Sequence, residues 1–420
     1  MSQQPSRREF LFESAAMAIF LPTAAATLYE FSTGIGAEPL SSESYWQKVR
    51  EQFPFRESKV PMNAANLCPS PRPVAERVIE LARDIDIDCS FNNRAKFAEL
   101  LEKSRQKVAQ QLRVSANEIA LVRNTSEANN VINNGLRLRA GDEIVLWDQN
   151  HPTNNVAWDV RAARFGLKVK RVATPPKPKT PSELVEHFAA AFTDKTRVLA
   201  VTHVSNVSGL RLPIKELCDA AHDRGIYVHV DGAQTCGALE INLRSLGCDS
   251  YSASAHKWFV GPKEVGLLYV KEDRIGEIWP NVVAPGWGSG VEPDVRGARK
   301  FESLGQRDDA ALAAIAETVD FLNAVGQERI EQRVYELARA LKFKAQSGGV
   351  ELITPIAPEF SAGVCVFTVS AEARGRVCHR MYEEFGIAGA QTGGLRLCPH
   401  IYNTLEHIDR AVHGIHKTIG

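Results

Sequence analysis

The chain has 420 residues, enough for two to three domains at about 150 residues each. Fifty Lys and Arg balance 50 Asp and Glu, with 24% of residues charged and 44% hydrophobic, which excludes a disordered or fibrous chain. Zero net charge argues against a broad grip on nucleic acid, and eight cysteines without a C-x-x-C pair argue against a disulfide scaffold or a thiolate-only zinc site.

In chain order, the first segment reads as a leader. Arg7-Arg8 precede Phe10-Leu11, a mostly apolar run from Ala15 to Leu21, and the small residues Ala24-Ala25-Ala26. A basic start, a short apolar stretch and a small-residue site outline a signal peptide, and the paired arginines give it a twin-arginine form. The run is shorter than the roughly 20 residues that cross a bilayer, so no stable membrane insertion is expected after processing. Cleavage after Ala26 or nearer Ala37 fits equally. The alternative is an amphipathic helix packed on the protein. Export by the twin-arginine translocase would place a folded protein in the periplasm; without a signal it would stay in the cytoplasm.

From Ile119 to Val270, short β-rich runs alternate with helical patterns. The predicted strands are Ile119–Arg123, Glu143–Trp147, Val169–Val172, Arg197–Val204, Tyr227–Asp231, Ser250–Ser254 and Val265–Val270. Helical patterns Ala128–Leu136, Asn154–Phe165, Ser182–Phe192 and Pro213–Arg224 lie between several of them. Such alternation predicts an α/β fold with a mainly parallel sheet covered on both faces. Pro280 to Lys300 forms a long Gly- and Pro-rich loop. Beyond it the pattern changes to helices Ala310–Ala324 and Glu328–Lys344, a strand Val364–Val369, a helix Glu372–Phe385 and a last helix from Thr404, which reads as a smaller α+β domain.

Ligands of parallel sheets collect at the carboxyl ends of strands, and the polar residues concentrate there. Strand Tyr227–Asp231 runs into Asp231-Gly-Ala-Gln234, and Ser250–Ser254 into Ser254-Ala-His256-Lys257. Strand Ile119–Arg123 leads to Asn124-Thr125-Ser126-Glu127 at a helix start. Glu143–Trp147 leads to Asp148-Gln-Asn150-His151. Pyridoxal phosphate makes four demands that these sites match. Lys257 offers an amine for its aldehyde. Thr125 and Ser126 offer hydroxyls and backbone N–H groups to its phosphate. Asp231 offers a carboxylate to its ring nitrogen, and His151 a flat face for the ring. Each residue alone has a plain structural reading as a surface lysine, a turn aspartate, a helix cap or a loop histidine. Order and spacing of all four on one α/β pattern favour the cofactor. No G-x-S-x-G, H-E-x-x-H or G-x-x-x-x-G-K run is present, and the glycines Gly286, Gly288 and Gly290 lack dinucleotide-binding spacing, so a nicotinamide dehydrogenase is remote.

Val228–Gln234 (V-H-V-D-G-A-Q), Ser254–Lys257 (S-A-H-K), Thr202–Gly209 (T-H-V-S-N-V-S-G) and Arg396–Thr404 (R-L-C-P-H-I-Y-N-T) occur together. With them the chain resembles the class V aminotransferase family of fold-type I pyridoxal-phosphate enzymes. That family also holds cysteine desulfurases and isopenicillin N epimerase-like proteins. The resemblance runs from about Tyr45 to the C-terminus. It implies a large domain with a seven-stranded, mainly parallel sheet and a smaller C-terminal α+β domain, in a homodimer. The implied division is 1–37 leader, 38–75 N-terminal arm, 76–305 large cofactor-binding domain and 306–420 small domain. By resemblance Lys257 carries the cofactor, Asp231 partners the ring nitrogen, Gln234 lies by the ring hydroxyl and His151 stacks on the ring. Ser254, His256, Thr125 and Ser126 would hold the phosphate. Asn66 and Asn206 would border the substrate, and Arg396 would clamp its α-carboxylate as a bidentate fork.

Two departures refine this picture. Desulfurases carry a nucleophilic cysteine shortly before the carboxylate-binding arginine, and Gly386–Gly394 has none. Relatives often place Gly-Thr in the long loop, where Gln306 stands here after Gly305. The run Phe301–Asp308 resembles the epimerase-like branch and exported relatives, some of which tailor siderophore peptides. The implied function is a periplasmic reaction at the α-amino carbon of an amino acid or a peptide-borne one. Transamination or a related tailoring step is expected before epimerisation, and C–S β-elimination after both. A cofactor-fold protein that binds ligand without turnover fits the intact Lys257, Asp231 and Arg396 set least well.

Overall fold

The computed structural model describes residues 42–283 and 297–419. The expected leader and residues 284–296 of the long loop lie outside the described residues. Eleven strands occur in chain order among the described residues: β1 (Val60–Pro61), β2 (Ile119–Val122), β3 (Glu143–Trp147), β4 (Lys168–Val172), β5 (Thr196–Thr202), β6 (Tyr227–Asp231), β7 (Ser250–Ser254), β8 (Gly266–Val270), β9 (Cys365–Phe367), β10 (Ile387–Ala388) and β11 (Leu395–Leu397).

Seven of them form one sheet in the order β2-β8-β7-β6-β5-β3-β4. Pairs β3–β4, β3–β5, β5–β6 and β6–β7 are parallel, and β8 runs antiparallel to both β2 and β7. The α/β expectation with a mainly parallel sheet therefore holds. Central strands are apolar along their length because helices cover both faces; in β5 every residue except Arg197 is buried. The edge strand β4 instead carries Lys168, Lys170 and Arg171, charges that discourage pairing with another chain.

After β8 come the helices Asp309–Ala313, Ile315–Val325 and Gln327–Ser347. The single helix expected at Ala310–Ala324 is two, because Ala314 takes ψ of 0° and interrupts the ladder between them. Helix Gln327–Ser347 packs on β9 and helix Arg374–Glu383 on its antiparallel partner β11, helix Leu405–Ile419 packs on both helices, and a second apolar core gathers there around Leu337, Leu341, Met381 and Ile415. Two features go beyond the sequence pattern. Helices Arg72–Ile87 and Lys96–Gln111 precede the sheet, and β1 pairs in parallel with β10, Val60 opposite Ile387. That pairing, extended by a bridge between Asn63 and Cys398, ties the N-terminal arm to the last third of the chain. Among the described residues no helix is long and apolar enough to cross a membrane.

The core encloses polar groups at a measurable cost. His203, His229 and His400 are fully buried, and burial holds their imidazoles down to about 3, about 3 and about 4. They stay neutral in the folded chain, while unfolded imidazoles protonate as pH falls through about 6.5. The unfolded state then binds more protons, so stability falls with falling pH, by about 1.4 kcal/mol per pH unit for each fully charged unfolded imidazole. The urea midpoint is expected to drop steadily from pH 7 to pH 5, above the range where carboxylates titrate. A midpoint that is flat or rises over that interval would show that these histidines are not held neutral.

Candidate active site

Strand register assembles the site. Thr202 ends β5 directly opposite Asp231 at the end of β6, and Asp231 in turn lies opposite Ser252 on β7. The next residues of each strand turn into one cavity at the carboxyl edge. Thr125, Ser126, His151, Asp231, Gln234, Ser254, His256 and Lys257 line it, with Asn66 and Asn206. Arg396, on β11, is not in the lining but adjoins it, donating to the Asn206 backbone carbonyl at 3.0 Å and to Asn63 Oδ1 at 3.0 Å. Asn124, Thr153, Thr202 and Ala233 also line the cavity; all but Thr153 fall within the sequence motifs above, which give them no role of their own. Thr202 had a signal, since it ends the strand beside Asp231.

The Lys257 side-chain amine has no hydrogen bond or ion pair among the described residues. Burial lowers its pKa and the Arg396 charge adds to this, against the opposing pull of Asp231. An amine so placed is deprotonated more readily than a surface lysine, as a nucleophile requires. Asp231 is 2% exposed. Its Oδ1 accepts from the Ala233 N–H at 3.0 Å and its Oδ2 from Asn129 Nδ2 at 2.9 Å.

Helix Thr125–Gly135 begins at the cavity, capped by Asn124, whose side chain accepts from the Glu127 N–H. Ser254 Oγ accepts the Thr125 N–H at 2.8 Å and bonds Thr125 Oγ1 at 2.7 Å, so strand β7 and the helix start are fastened together. The Ser126 N–H has no protein partner among the described residues. It is open to an anion at the positive end of the helix. His256 is held down to about 4 by burial and by the charges of Lys257 and Lys263, and remains a neutral donor or acceptor.

His151 caps helix Pro152–Phe165. Its Nδ1 accepts from the Thr153 N–H at 3.3 Å, which leaves the proton of the neutral ring on Nε2. Burial lowers its pKa, helped by Lys257 and Arg396. Gln234 is held at both ends: its Oε1 accepts from Trp258 Nε1 at 2.8 Å and its Nε2 donates to the Ala65 carbonyl at 3.0 Å. Trp258 is steadied by His400, whose Nε2 donates to the Trp258 carbonyl at 2.7 Å. In the sequence Trp258 is only a neighbour of Lys257, and nothing there gives His400 a role.

The donor set fits pyridoxal phosphate. A partnerless buried amine, a carboxylate with both oxygens oriented, and a helix N-terminus with a free N–H face one cavity. Residues 86–410 match the family profile described as Aminotransferase class-V. The chain belongs to the class-V aminotransferase family. Its fold is that of the fold-type I pyridoxal-phosphate enzymes. Isopenicillin N epimerase of Amycolatopsis lactamdurans is 33% identical over 387 residues, covering 87% of this chain and 96% of that one. The epimerase of Streptomyces clavuligerus is 31% identical over 393 residues, covering 89% and 98%. Among solved structures, a mutant of C-DES with glycine covalently linked to its PLP cofactor superposes with a TM-score of 0.80 at 25% identity, over 88% of this chain and 99% of that one. The cysteine desulfurase CsdA of Escherichia coli shares the fold with a TM-score of 0.78 at 23% identity, covering 89% and 98%.

Cys68 is buried and pushed up to about 12, Cys398 is buried and raised, and Cys378 on helix Arg374–Glu383 is raised by burial. None is a ready thiolate.

The cradle is tight. A Cβ on Gly266 would stand 2.6 Å from Asn124 Cα, backbone that has no side-chain freedom to yield. Gly266→Ala is expected to displace the Asn124–Thr125 turn, weakening pyridoxal-phosphate binding by about tenfold or more and costing about 1–3 kcal/mol of stability. Equilibrium titration of the apo-protein and urea unfolding measure the two effects. Unchanged binding would show that this turn does not hold the phosphate.

Proposed function

We propose that this class-V enzyme removes and redelivers the α-proton of an amino acid, free or carried at the end of a peptide, that bears both its α-amine and its α-carboxylate. The observation that carries this reading is Arg396. It is 4% exposed, it has no carboxylate partner among the described residues, and its Nε lacks any hydrogen bond. A buried guanidinium answered only by a carbonyl and an amide oxygen is poised for a carboxylate from outside. Asn206 Oδ1 is likewise buried and unpartnered beside it.

Bound pyridoxal phosphate supplies the electron sink for negative charge at the α-carbon. The chain's residues do the rest. Arg396 takes the carboxylate and orients the α-carbon. Lys257, favoured as an uncharged amine, accepts the α-proton. Asp231, its carboxylate held by Asn129 and the Ala233 N–H, holds a proton on the heterocycle. Gln234, locked by Trp258 and Ala65, would offer its remaining N–H to the bound group. Delivery of the proton away from the α-carbon ends in transamination, and delivery to its opposite face in epimerisation.

Transamination or a related tailoring step remains the first expectation, with epimerisation second. The similarity to two isopenicillin N epimerases over most of their length supports the second. C–S β-elimination is a further reading, supported by the likeness to C-DES, which is described as a cystine C–S lyase. Release of pyruvate from cystine is its mark. The reading includes a homodimer, supported by the uncovered apolar side chains of Phe91 (88% exposed) and Ile87 (86% exposed) at the junction between helices Arg72–Ile87 and Lys96–Gln111. It also includes folded export to the periplasm, supported by Arg7-Arg8 and the apolar run after them.

Proton NMR in heavy water with L- and D-amino acids tests the proposal. The α-proton signal of a substrate is expected to vanish, with a 2-oxo acid appearing for transamination or the mirror-image amino acid for epimerisation. The carboxamide of the same substrate is expected to exchange at least 100-fold more slowly, and Arg396→Lys to raise KM by about 10- to 100-fold, the worth of a bidentate charged pair. Equal exchange of acid and amide would contradict the role of Arg396.

A further inference from the structure

Behind Asp231, beneath the cavity, lies a row of buried polar side chains. Asn129 sits on helix Thr125–Gly135, which packs over β6 and β7. His229 and Asp231 are two apart on β6 and so share a face, and Ser250 and Ser252 lie opposite them in register on β7. All five side chains are buried, Asn129, His229, Ser250 and Ser252 completely. A helix packed on a strand ordinarily meets apolar residues there, and unsatisfied polar groups in such a place cost about 1–3 kcal/mol each. Here every one is paired.

The direction of the bonds is fixed by chemistry. A carboxylate only accepts, so the Asn129 amide must turn its Nδ2 to Asp231 Oδ2, 2.9 Å away. Its Oδ1 then faces Ser252 Oγ, at 2.5 Å, and His229 Nε2, at 2.9 Å, and both must donate. Burial keeps His229 neutral, so with the proton on Nε2 its Nδ1 is bare and accepts from Ser250 Oγ at 2.8 Å. The row thus runs Ser250 to His229 to Asn129 to Asp231, each member donating toward the carboxylate. An amide cannot pass a proton along, so the row orients Asp231 without protonating it.

We propose that Asn129 and His229 are positioning residues that fix the plane of the Asp231 carboxylate toward the ring nitrogen of the bound cofactor. The inference rests on the reading that the cavity binds pyridoxal phosphate with Asp231 against that nitrogen. Removing Asn129 leaves Oδ2 without its donor. Removing His229 takes away one of the two donors to Asn129 Oδ1 and leaves Ser252 alone to hold it.

The test uses the full chain loaded with pyridoxal phosphate labelled with nitrogen-15 in the ring, whose chemical shift reports ring-nitrogen protonation. Cofactor affinity is measured on the same proteins. In the wild type the ring nitrogen is expected to be protonated. Asn129→Leu is expected to bind the cofactor roughly 10- to 100-fold more weakly and to shift the nitrogen signal toward the unprotonated form. His229→Leu is expected to move both in the same direction by a smaller factor, and His229→Gln, which can still donate to Asn129 Oδ1, to restore them. The histidine pair carries the test if Asn129→Leu does not fold. Wild-type affinity and an unchanged nitrogen signal in the leucine variants, whatever their melting temperatures, would overturn the proposal. A wild-type chain that binds no pyridoxal phosphate would instead overturn the cofactor reading beneath it.

Discussion

The site depends on an imbalance of buried charge. Lys257 and Arg396 are withdrawn from water near one carboxylate, Asp231, and neither has a salt bridge among the described residues. Taking a charge out of water costs several kcal/mol, even after relaxation, unless a partner answers it. The fold tolerates the cost by letting Lys257 lose its proton readily and by giving Arg396 two neutral oxygens, from Asn206 and Asn63. What the protein leaves unanswered, an aldehyde-bearing anion and a carboxylate substrate can answer. The electrostatic deficit of the cavity is therefore a description of what it binds.

That deficit can be held only by a rigid frame, and the frame comes from widely separated stretches of chain. Parallel strands end side by side, so residues some thirty apart in sequence, Thr202 and Asp231, become neighbours. The arm residue Asn63 reaches Arg396 because β1 pairs with β10 and because Asn63 bridges Cys398. His256 is joined to the arm by its backbone carbonyl, which accepts the Cys68 N–H at 2.8 Å. Moving the arm would thus disturb both the His256 corner and the Arg396 corner of the cavity.

Much of this frame is legible in the amino-acid sequence. Buried parallel strands require continuous apolar runs, so V-L-A-V in β5 and V-H-V-D in β6 mark their strands, and with them the strand ends where chemistry collects. Lys257, Asp231, Thr125 and His151 stand out because each follows such a run. Residues that act through another residue are not legible in this way. Asn129 reads as an ordinary polar position of a helix, and only the register of β6 against β7 shows that it faces a carboxylate. Trp258 reads as core, and its bond to Gln234 needs the turn after Lys257 to fold back. The two-residue strands β1 and β10 carry no periodicity to detect, and their pairing spans more than three hundred residues. Local pattern shows where a strand ends; only tertiary contact shows what stands behind it.

The most direct measurement is borohydride reduction of the purified chain after addition of pyridoxal phosphate, followed by mass mapping of its peptides. The account predicts one reduced cofactor adduct, on Lys257, absent from Lys257→Ala. No adduct, or an adduct on other lysines that persists in Lys257→Ala, would contradict it.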